Sequence, residues 1–192
     1  MAVSVALFSD PGCPWGYSAD RCEAALRWRY GDQLDWELVM IGLAEDGSQY
    51  TDRGYTPEMM AGFLPKFSAA FGMPFRYEPK DHVAATSPAC RAIVAAGLQG
   101  GTAAAFEAFR ALQFMQFTTA GALDSTDDIQ AALEGLEEID AAAVVGAGED
   151  DRRRRVANGP VGVGRLAQRL GRASGSLPGP LAAGLVGLHD LG

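Results

Sequence analysis

The spacing of hydrophobic and polar positions near the start of the chain predicts a strand, a helix and a second strand. Residues 3–8 are a short β-branched and apolar run that ends at the turn signal Asp10-Pro11-Gly12, as expected of a buried strand. From Pro14 to about Tyr30, small and apolar residues recur near helical spacing. Residues 36–41 are a second strand-like run. This order predicts a right-handed βαβ unit with parallel strands.

Helical periodicity dominates the chain from about residue 57 to residue 145. The predicted helices cover residues 57–71, 87–98, 102–117, 125–136 and 139–145. A break is expected at Gly100-Gly101, and Ser125 is a good N-cap because Asp127 and Asp128 follow it. Six phenylalanines at helical spacing are predicted to pack between helices: Phe63, Phe67, Phe71, Phe106, Phe109 and Phe114.

Length and composition predict an α/β protein of one domain that carries a large helical insertion. The chain has 192 residues, and 48% of them are hydrophobic, which is ample for a core. We divide it into an N-terminal βαβ unit at 1–55, a helical insertion at 56–147 and an atypical Gly/Arg-rich segment at 148–192. Residues 151–192 contain 7 Arg, 2 Asp and 9 Gly, a net charge of +5, and no aromatic residue follows Phe117. The preceding 150 residues contain 9 Lys and Arg against 22 Asp and Glu, a net charge of -13.

Charge and cysteine content limit the classes of partner. The net charge of -8 argues against nucleic acid, because phosphate binding requires a basic face. Three cysteines do not form a disulfide framework, and the odd number favours a reducing compartment. The first residues lack the basic region of a signal peptide, and no run of 18 apolar residues occurs. We therefore expect a cytoplasmic protein without a membrane span and, since ligand spacing is absent, without a metal site.

Cys13 lies where the first predicted strand meets the first predicted helix. A thiolate at a helix N-terminus is stabilised by unpaired amide groups and by the helix dipole, and reactive cysteines commonly occupy such positions. Pro14 suits the first helical position, because the amide hydrogen that proline lacks would be unpaired there. Cys22 and Cys90 lie inside helical patterns and are predicted to be buried and inert. Nine helical residues separate Cys13 from Cys22, about 13 Å, so these two cannot form a disulfide.

These residues resemble the DsbA-like branch of the thioredoxin superfamily. The likeness rests on the order strand, motif Asp10-Pro11-Gly12-Cys13-Pro14-Trp15, helix, strand and helical insertion. In addition, Ser87-Pro88-Ala89-Cys90-Arg91 resembles the start of the helical insertion in that branch. The branch includes FrnE-type proteins, kappa-class glutathione transferases and 2-hydroxychromene-2-carboxylate isomerases. The resemblance covers residues 3–145 and implies a thioredoxin-like βαβ unit with Cys13 as the nucleophile.

The chain departs from that pattern at two places. The second cysteine of the oxidoreductase motif would fall at Gly16, so the Cys13-Pro14-Trp15-Gly16 site has one thiol. An external thiol, glutathione or another small thiol, would then release a mixed disulfide, with no tightly bound cofactor. The family's closing hairpin and its cis-proline loop have no convincing counterpart, and Pro160 is the best candidate for that proline. We hypothesise that the reading frame of the 148–192 segment is shifted relative to an ancestral gene.

Three functions remain open. The first is a thiol–disulfide oxidoreductase or thiol transferase, in which the amides of Trp15 and Gly16 assist Cys13. The second is a glutathione-dependent transferase or isomerase, and the third is a truncated, inactive member. Asp10 either tunes the thiol or forms the turn, while Trp15 and Tyr17 either shape an apolar rim for substrate or pack the first helix. The expected partner is a small thiol or disulfide, and the resemblance also implies a homodimer.

Overall fold

A computed structural model describes residues 2–157, which belong to one compact unit of two strands and six α-helices. The elements are β1 (Val3–Ser9), α1 (Pro14–Tyr30), β2 (Leu34–Met40), α2 (Ser48–Thr51), α3 (Pro57–Phe71), α4 (Ser87–Thr118), α5 (Thr126–Leu133) and α6 (Ala141–Ala157). A 3-10 turn, Gly31–Gln33, joins α1 to β2. The predicted α/β class, a βαβ unit followed by a helical insertion, is confirmed.

The two strands are parallel and in register from Val3 opposite Leu34 to Ser9 opposite Met40. Alternate residues of a strand point to opposite faces, so Leu7 and Met40 pack against the helical core. On the other face Phe8 remains 63% exposed. In the described part of the chain, the sheet is therefore covered on one face and each strand has a free edge.

Local signals fix where the insertion helices begin and end. Thr56 caps α3 by accepting a hydrogen bond from the amide of Met59, and Gly72 ends that helix in the left-handed conformation. Ser125 caps α5 by accepting from the amide of Asp128, as the sequence predicts. These interactions satisfy amide and carbonyl groups that a helix end otherwise leaves unpaired.

Helix α4 forms the centre of the core. Its buried side chains, among them Ile93, Phe109 and Leu112, pack with residues of α5 and α6. The predicted break is a kink at Gly101 inside one long helix. Of the described helices, α4 alone is long and apolar enough to cross a membrane, but the same composition suits a core helix. Its contacts with α5, α6 and the sheet identify it as the latter in this fold.

Several sequence predictions need correction. Helix α6 extends to Ala157, so the domain boundary predicted at residue 148 falls inside a helix. Phe114 is 56% exposed and Phe71 is also exposed, so neither belongs to the core predicted for the six phenylalanines. Cys22 is exposed rather than buried, as are most of its neighbours in the middle of α1. Pro160, the hairpin region and most of the segment with the hypothesised frame shift lie outside the described residues.

Candidate thiol site

Cys13 is the residue immediately before the first turn of α1. Its backbone is extended (φ -86°, ψ 112°), and Pro14 occupies the start of the helix as predicted. The Cys13 amide donates to the carbonyl of Asp10 at 3.0 Å, and the Cys13 carbonyl accepts from the amide of Tyr17 at 3.0 Å. The side chain makes no capping hydrogen bond and is partly exposed. The sulfur therefore lies beside the positive end of the helix and is not engaged in holding it.

Asp10 is fully buried, and its carboxylate holds the turn that leads to Cys13. Its Oδ1 accepts from the amide of Gly12 at 2.8 Å, which forms the turn. Its Oδ2 accepts from the amide of Leu43 at 2.7 Å and from the hydroxyl of Thr86 at 2.9 Å. Both oxygens are buried and bonded within the protein, and a role of Asp10 in binding substrate or thiol stays a prediction. Of its two proposed roles, the structure supports the turn.

Cys90 is also bonded to the Asp10 carboxylate. Its thiol donates to Asp10 Oδ2 at 3.5 Å. Burial raises the pKa of the Cys90 thiol well above its ordinary value of 9.0, and the negative charge of Asp10 raises it further. Thiols react as thiolates, so Cys90 is held in its unreactive form at neutral pH. The prediction that Cys90 is buried is confirmed.

Trp15 forms an apolar surface beside the thiol. Its ring is 56% exposed and meets the rings of Phe67 and Phe71 edge to face, with centroids 4.7 and 5.8 Å apart. These contacts orient the indole on α3 while leaving much of it accessible to solvent. The role of Trp15 as a rim for substrate stays a prediction.

Tyr17, by contrast, lies in a second core and not at the rim. Its ring stacks on Phe117 at 4.9 Å and meets Phe75 edge to face at 5.1 Å. Its hydroxyl donates to the carbonyl of Pro74 at 3.1 Å, and only 4% of the residue is exposed. Of the two roles left open for Tyr17, the structure supports packing, since one helical turn directs position 17 inward and position 15 outward.

Gly16 stands where the resemblance places the second cysteine of the oxidoreductase motif, and its surroundings are crowded. A Cβ built on Gly16 would lie 2.6 Å from the Ser9 hydroxyl oxygen, 3.5 Å from Gln113 Nε2 and 3.7 Å from Cys13 Cβ. Ser9 and Gln113 are both buried, and Gln113 Nε2 donates to no other atom among the described residues. The glycine is thus a close-packing position next to Cys13.

Sequence reasoning missed Ser9, Thr86 and Gln113, which lie close to the motif only in the folded chain. It also missed Tyr50 of α2, which is partly buried. Burial first, and then electrostatic interaction with Asp10 and Cys13, raise the pKa of Tyr50 to about 12, so its phenol stays neutral. Among these four missed residues, only Thr86 had a sequence signal: it directly precedes Ser87-Pro88-Ala89-Cys90-Arg91, where the resemblance was noted.

Searches with the sequence give no match to a protein-family model or to a curated protein. Solved structures do match. A candidate protein disulfide isomerase from Nitrosomonas europaea has a TM-score of 0.64 at 20% identity, with 88% of this chain and 80% of that chain covered. The cytosolic disulfide reductase DsbM from Pseudomonas aeruginosa has a TM-score of 0.60 at 22% identity, with 89% and 81% covered, and its structure with GSH scores 0.59. The chain therefore has the fold of the DsbA-like thioredoxin superfamily, with a helical insertion after a thioredoxin-like βαβ unit.

Proposed function

We propose that this protein is a thiol–disulfide oxidoreductase or thiol transferase with Cys13 as its single nucleophile. The observation that carries the proposal is the position of Cys13: partly exposed, immediately before α1, with a sulfur that takes no part in capping the helix. Thiolates at such positions are stabilised by amides that the helix leaves unpaired, here those of Trp15 and Gly16. The similar solved structures support the class of reaction through their shared fold.

The chemistry follows from the single thiol. The Cys13 thiolate attacks one sulfur of a disulfide, forms a mixed disulfide and expels the other half as a thiolate. Trp15 offers an apolar surface for the part of the substrate next to that sulfur. Cys22 is too far along α1 to complete the exchange, and Cys90 is protonated and bonded to Asp10. An external thiol then restores the Cys13 thiolate.

We propose glutathione, or a small thiol like it, as that external thiol. The support is that one of the similar structures, DsbM, was solved with GSH. DsbM is described as cytosolic, and the acidic chain with three unpaired cysteines fits the same reducing compartment. We therefore propose a cytoplasmic location.

Alkylation of the full chain with iodoacetamide at neutral pH, followed by peptide mass spectrometry, tests the nucleophile. Cys22 is a matched control within the chain, because it is exposed on the same helix but lies away from its N-terminus. We expect Cys13 to react on the order of ten times faster than Cys22, and Cys90 to react last. A Cys13→Ser variant should lose only the fast phase.

A second measurement separates the open functions. Oxidised glutathione should leave one glutathione on Cys13 of the wild type and none on the Cys13→Ser variant. Equal alkylation of Cys13 and Cys22 would contradict the proposal and favour an inactive member of the superfamily. Fast alkylation with glutathione binding but without an adduct would instead favour the glutathione-dependent transferase or isomerase.

A further inference from the structure

A cleft lies between the end of α1, the start of β2 and the part of α4 that follows the kink. Its volume is about 320 Å³, at the lower end of the range for small-molecule sites. The residues that line it include Arg27, Asp32, Asp35, Trp36, Thr102 and Phe106. β2 starts opposite Val3 at the beginning of β1, whereas Cys13 follows the end of β1. The cleft is therefore separate from the thiol site, at the opposite end of the sheet.

Two aromatic rings and a carboxylate fix the guanidinium of Arg27 at this cleft. Its central carbon lies 3.7 Å from the ring centroid of Phe106 and 4.3 Å from that of Trp36. Its Nε donates to Glu23 Oε1 at 2.8 Å. Stacking on aromatic rings orients a guanidinium, and the Glu23 carboxylate balances its charge.

Two of the residues that line the cleft carry buried donors without an acceptor among the described residues. These donors are Nη2 of Arg27 and the indole Nε1 of Trp36. A buried donor that lacks an acceptor costs free energy, and such groups in native proteins usually have a partner. An oxygen acceptor bound here would therefore gain hydrogen bonds that the described part of the protein leaves unmade.

The charge of the cleft favours a cation in addition to that acceptor. Asp32 and Asp35 line the cleft, are exposed and have no ion-pair partner among the described residues. Because Glu23 already balances Arg27, these two carboxylates remain uncompensated. They repel a simple anion and attract an ammonium group. The acceptor that suits the cleft is therefore a neutral oxygen with a cation beside it.

We propose that this cleft binds a small molecule in which an ammonium group adjoins a neutral carbonyl oxygen. Amino-acid amides and the N-terminal residues of peptides share this chemistry. The carbonyl oxygen accepts a hydrogen bond from Arg27 Nη2 or Trp36 Nε1, and the ammonium group lies near Asp32 and Asp35. Binding involves no covalent step and does not depend on the proposed reaction of Cys13.

Nuclear magnetic resonance of the ¹⁵N-labelled full chain tests the proposal, because each of the three tryptophans gives one indole N–H signal. A Trp36→Phe variant identifies the signal of Trp36. L-Alaninamide should shift that signal saturably, with a Kd on the order of 1 mM, and leave those of Trp15 and Trp28 unchanged. N-acetyl-L-alaninamide lacks the cation and L-alanine has a carboxylate in place of the amide, so both should bind about five times more weakly.

Variants that keep the fold separate binding in the cleft from a general charge effect. Asp32→Asn combined with Asp35→Asn should weaken binding of L-alaninamide about fivefold. The matched control is Glu37→Gln, because Glu37 is exposed on the same strand but does not line the cleft. This variant and Cys13→Ser should bind like the wild type.

The outcomes that overturn the proposal are specific. They are the absence of a saturable shift of the Trp36 signal up to about 20 mM L-alaninamide, and equal affinity for the acetylated compound. Equal weakening by the Glu37→Gln variant would also overturn it. The tripeptide Ala-Gly-Gly distinguishes the two sources of the ligand: tighter binding than that of L-alaninamide identifies a peptide N-terminus, and equal binding identifies a single amino-acid amide.

Discussion

At the scale of single residues, one buried carboxylate connects three separate parts of the chain around the thiol. Asp10 bonds the turn at Gly12, the loop at Leu43 and the start of the insertion at Thr86. A buried charge is tolerated only when donors surround it, and these three donors in turn depend on the carboxylate. The turn that positions Cys13 is therefore linked to residues 33 and 76 positions away from Asp10.

We expect Asp10→Ala to lower the free energy of unfolding by about 3 kcal/mol, because it removes charged hydrogen bonds and leaves buried donors unpaired. Chemical denaturation followed by circular dichroism measures this. The control is Asp35→Ala on the exposed side of β2, which should stay within about 0.5 kcal/mol of the wild type. Equal losses in the two variants would mean that Asp10 does not connect the three segments.

At the scale of elements, the kink in α4 determines the path of the core helix. Gly101 has φ 76° and ψ -168°, a backbone conformation that is essentially restricted to glycine. The residues before the kink include Ile93 of the central core, and those after it include Phe109 and Leu112 of the same core. One glycine thus lets a single helix supply both halves of the core.

A Gly101→Ala substitution should cost roughly 1–3 kcal/mol of unfolding free energy, because alanine is strained in this conformation. Gly146→Ala in α6 is the matched control: nothing lies within 4 Å of its added Cβ, and alanine should gain about 0.5–1 kcal/mol there. Denaturant midpoints of both variants provide the measurement. A Gly101→Ala protein as stable as the wild type would show that the kink is not required.

At the scale of the whole molecule, the described residues form a sheet that is incomplete as a thioredoxin-like layer. Two parallel strands are covered by helices on one face, while Phe8 is exposed on the other. A free strand edge next to exposed apolar residues usually requires cover. Pro160, the candidate for the proline of the cis-proline loop and for substrate or thiol binding, stays a prediction because that residue lies outside the described part of the chain.

The stability of the whole molecule should depend on pH through Lys80. Its ammonium donates to the carbonyl of Gly121, and burial, followed by the charge of Arg76, lowers the pKa of Lys80 from 10.5 to about 8. Between these two values the unfolded chain binds more protons than the folded one, so this group makes the protein more stable as the pH rises from about 8 towards 10.5. The contribution is lost as the pH falls through 8.

Comparison with Lys80→Met isolates that contribution, because Cys90 and Tyr50 have raised pKa values and change stability in the opposite direction at high pH. We expect the unfolding free energy of the wild type to rise relative to that of Lys80→Met between pH 8 and pH 9.5. Denaturation at several pH values provides the measurement. Parallel curves for the two proteins would contradict the assigned burial of Lys80.

The sequence by itself determined most of the elements and placed Cys13 at the start of the first helix. Helix α1 from Pro14 to Tyr30 and helix α3 from Pro57 to Phe71 follow their predictions, because hydrophobic spacing, prolines and caps act within one or two helical turns. Cys13 could be identified for the same reason, since a strand–turn–helix junction is a local feature.

Only the tertiary structure decided what surrounds the Cys13 thiol. The burial of Tyr17, the exposure of Cys22 and the engagement of Asp10 depend on which elements pack together, and local spacing does not encode that. The contact between Ser9 and position 16 likewise arises because β1 ends beneath the first turn of α1. Side-chain environments depend on contacts between distant parts of the chain, and these exist only once the whole core has formed.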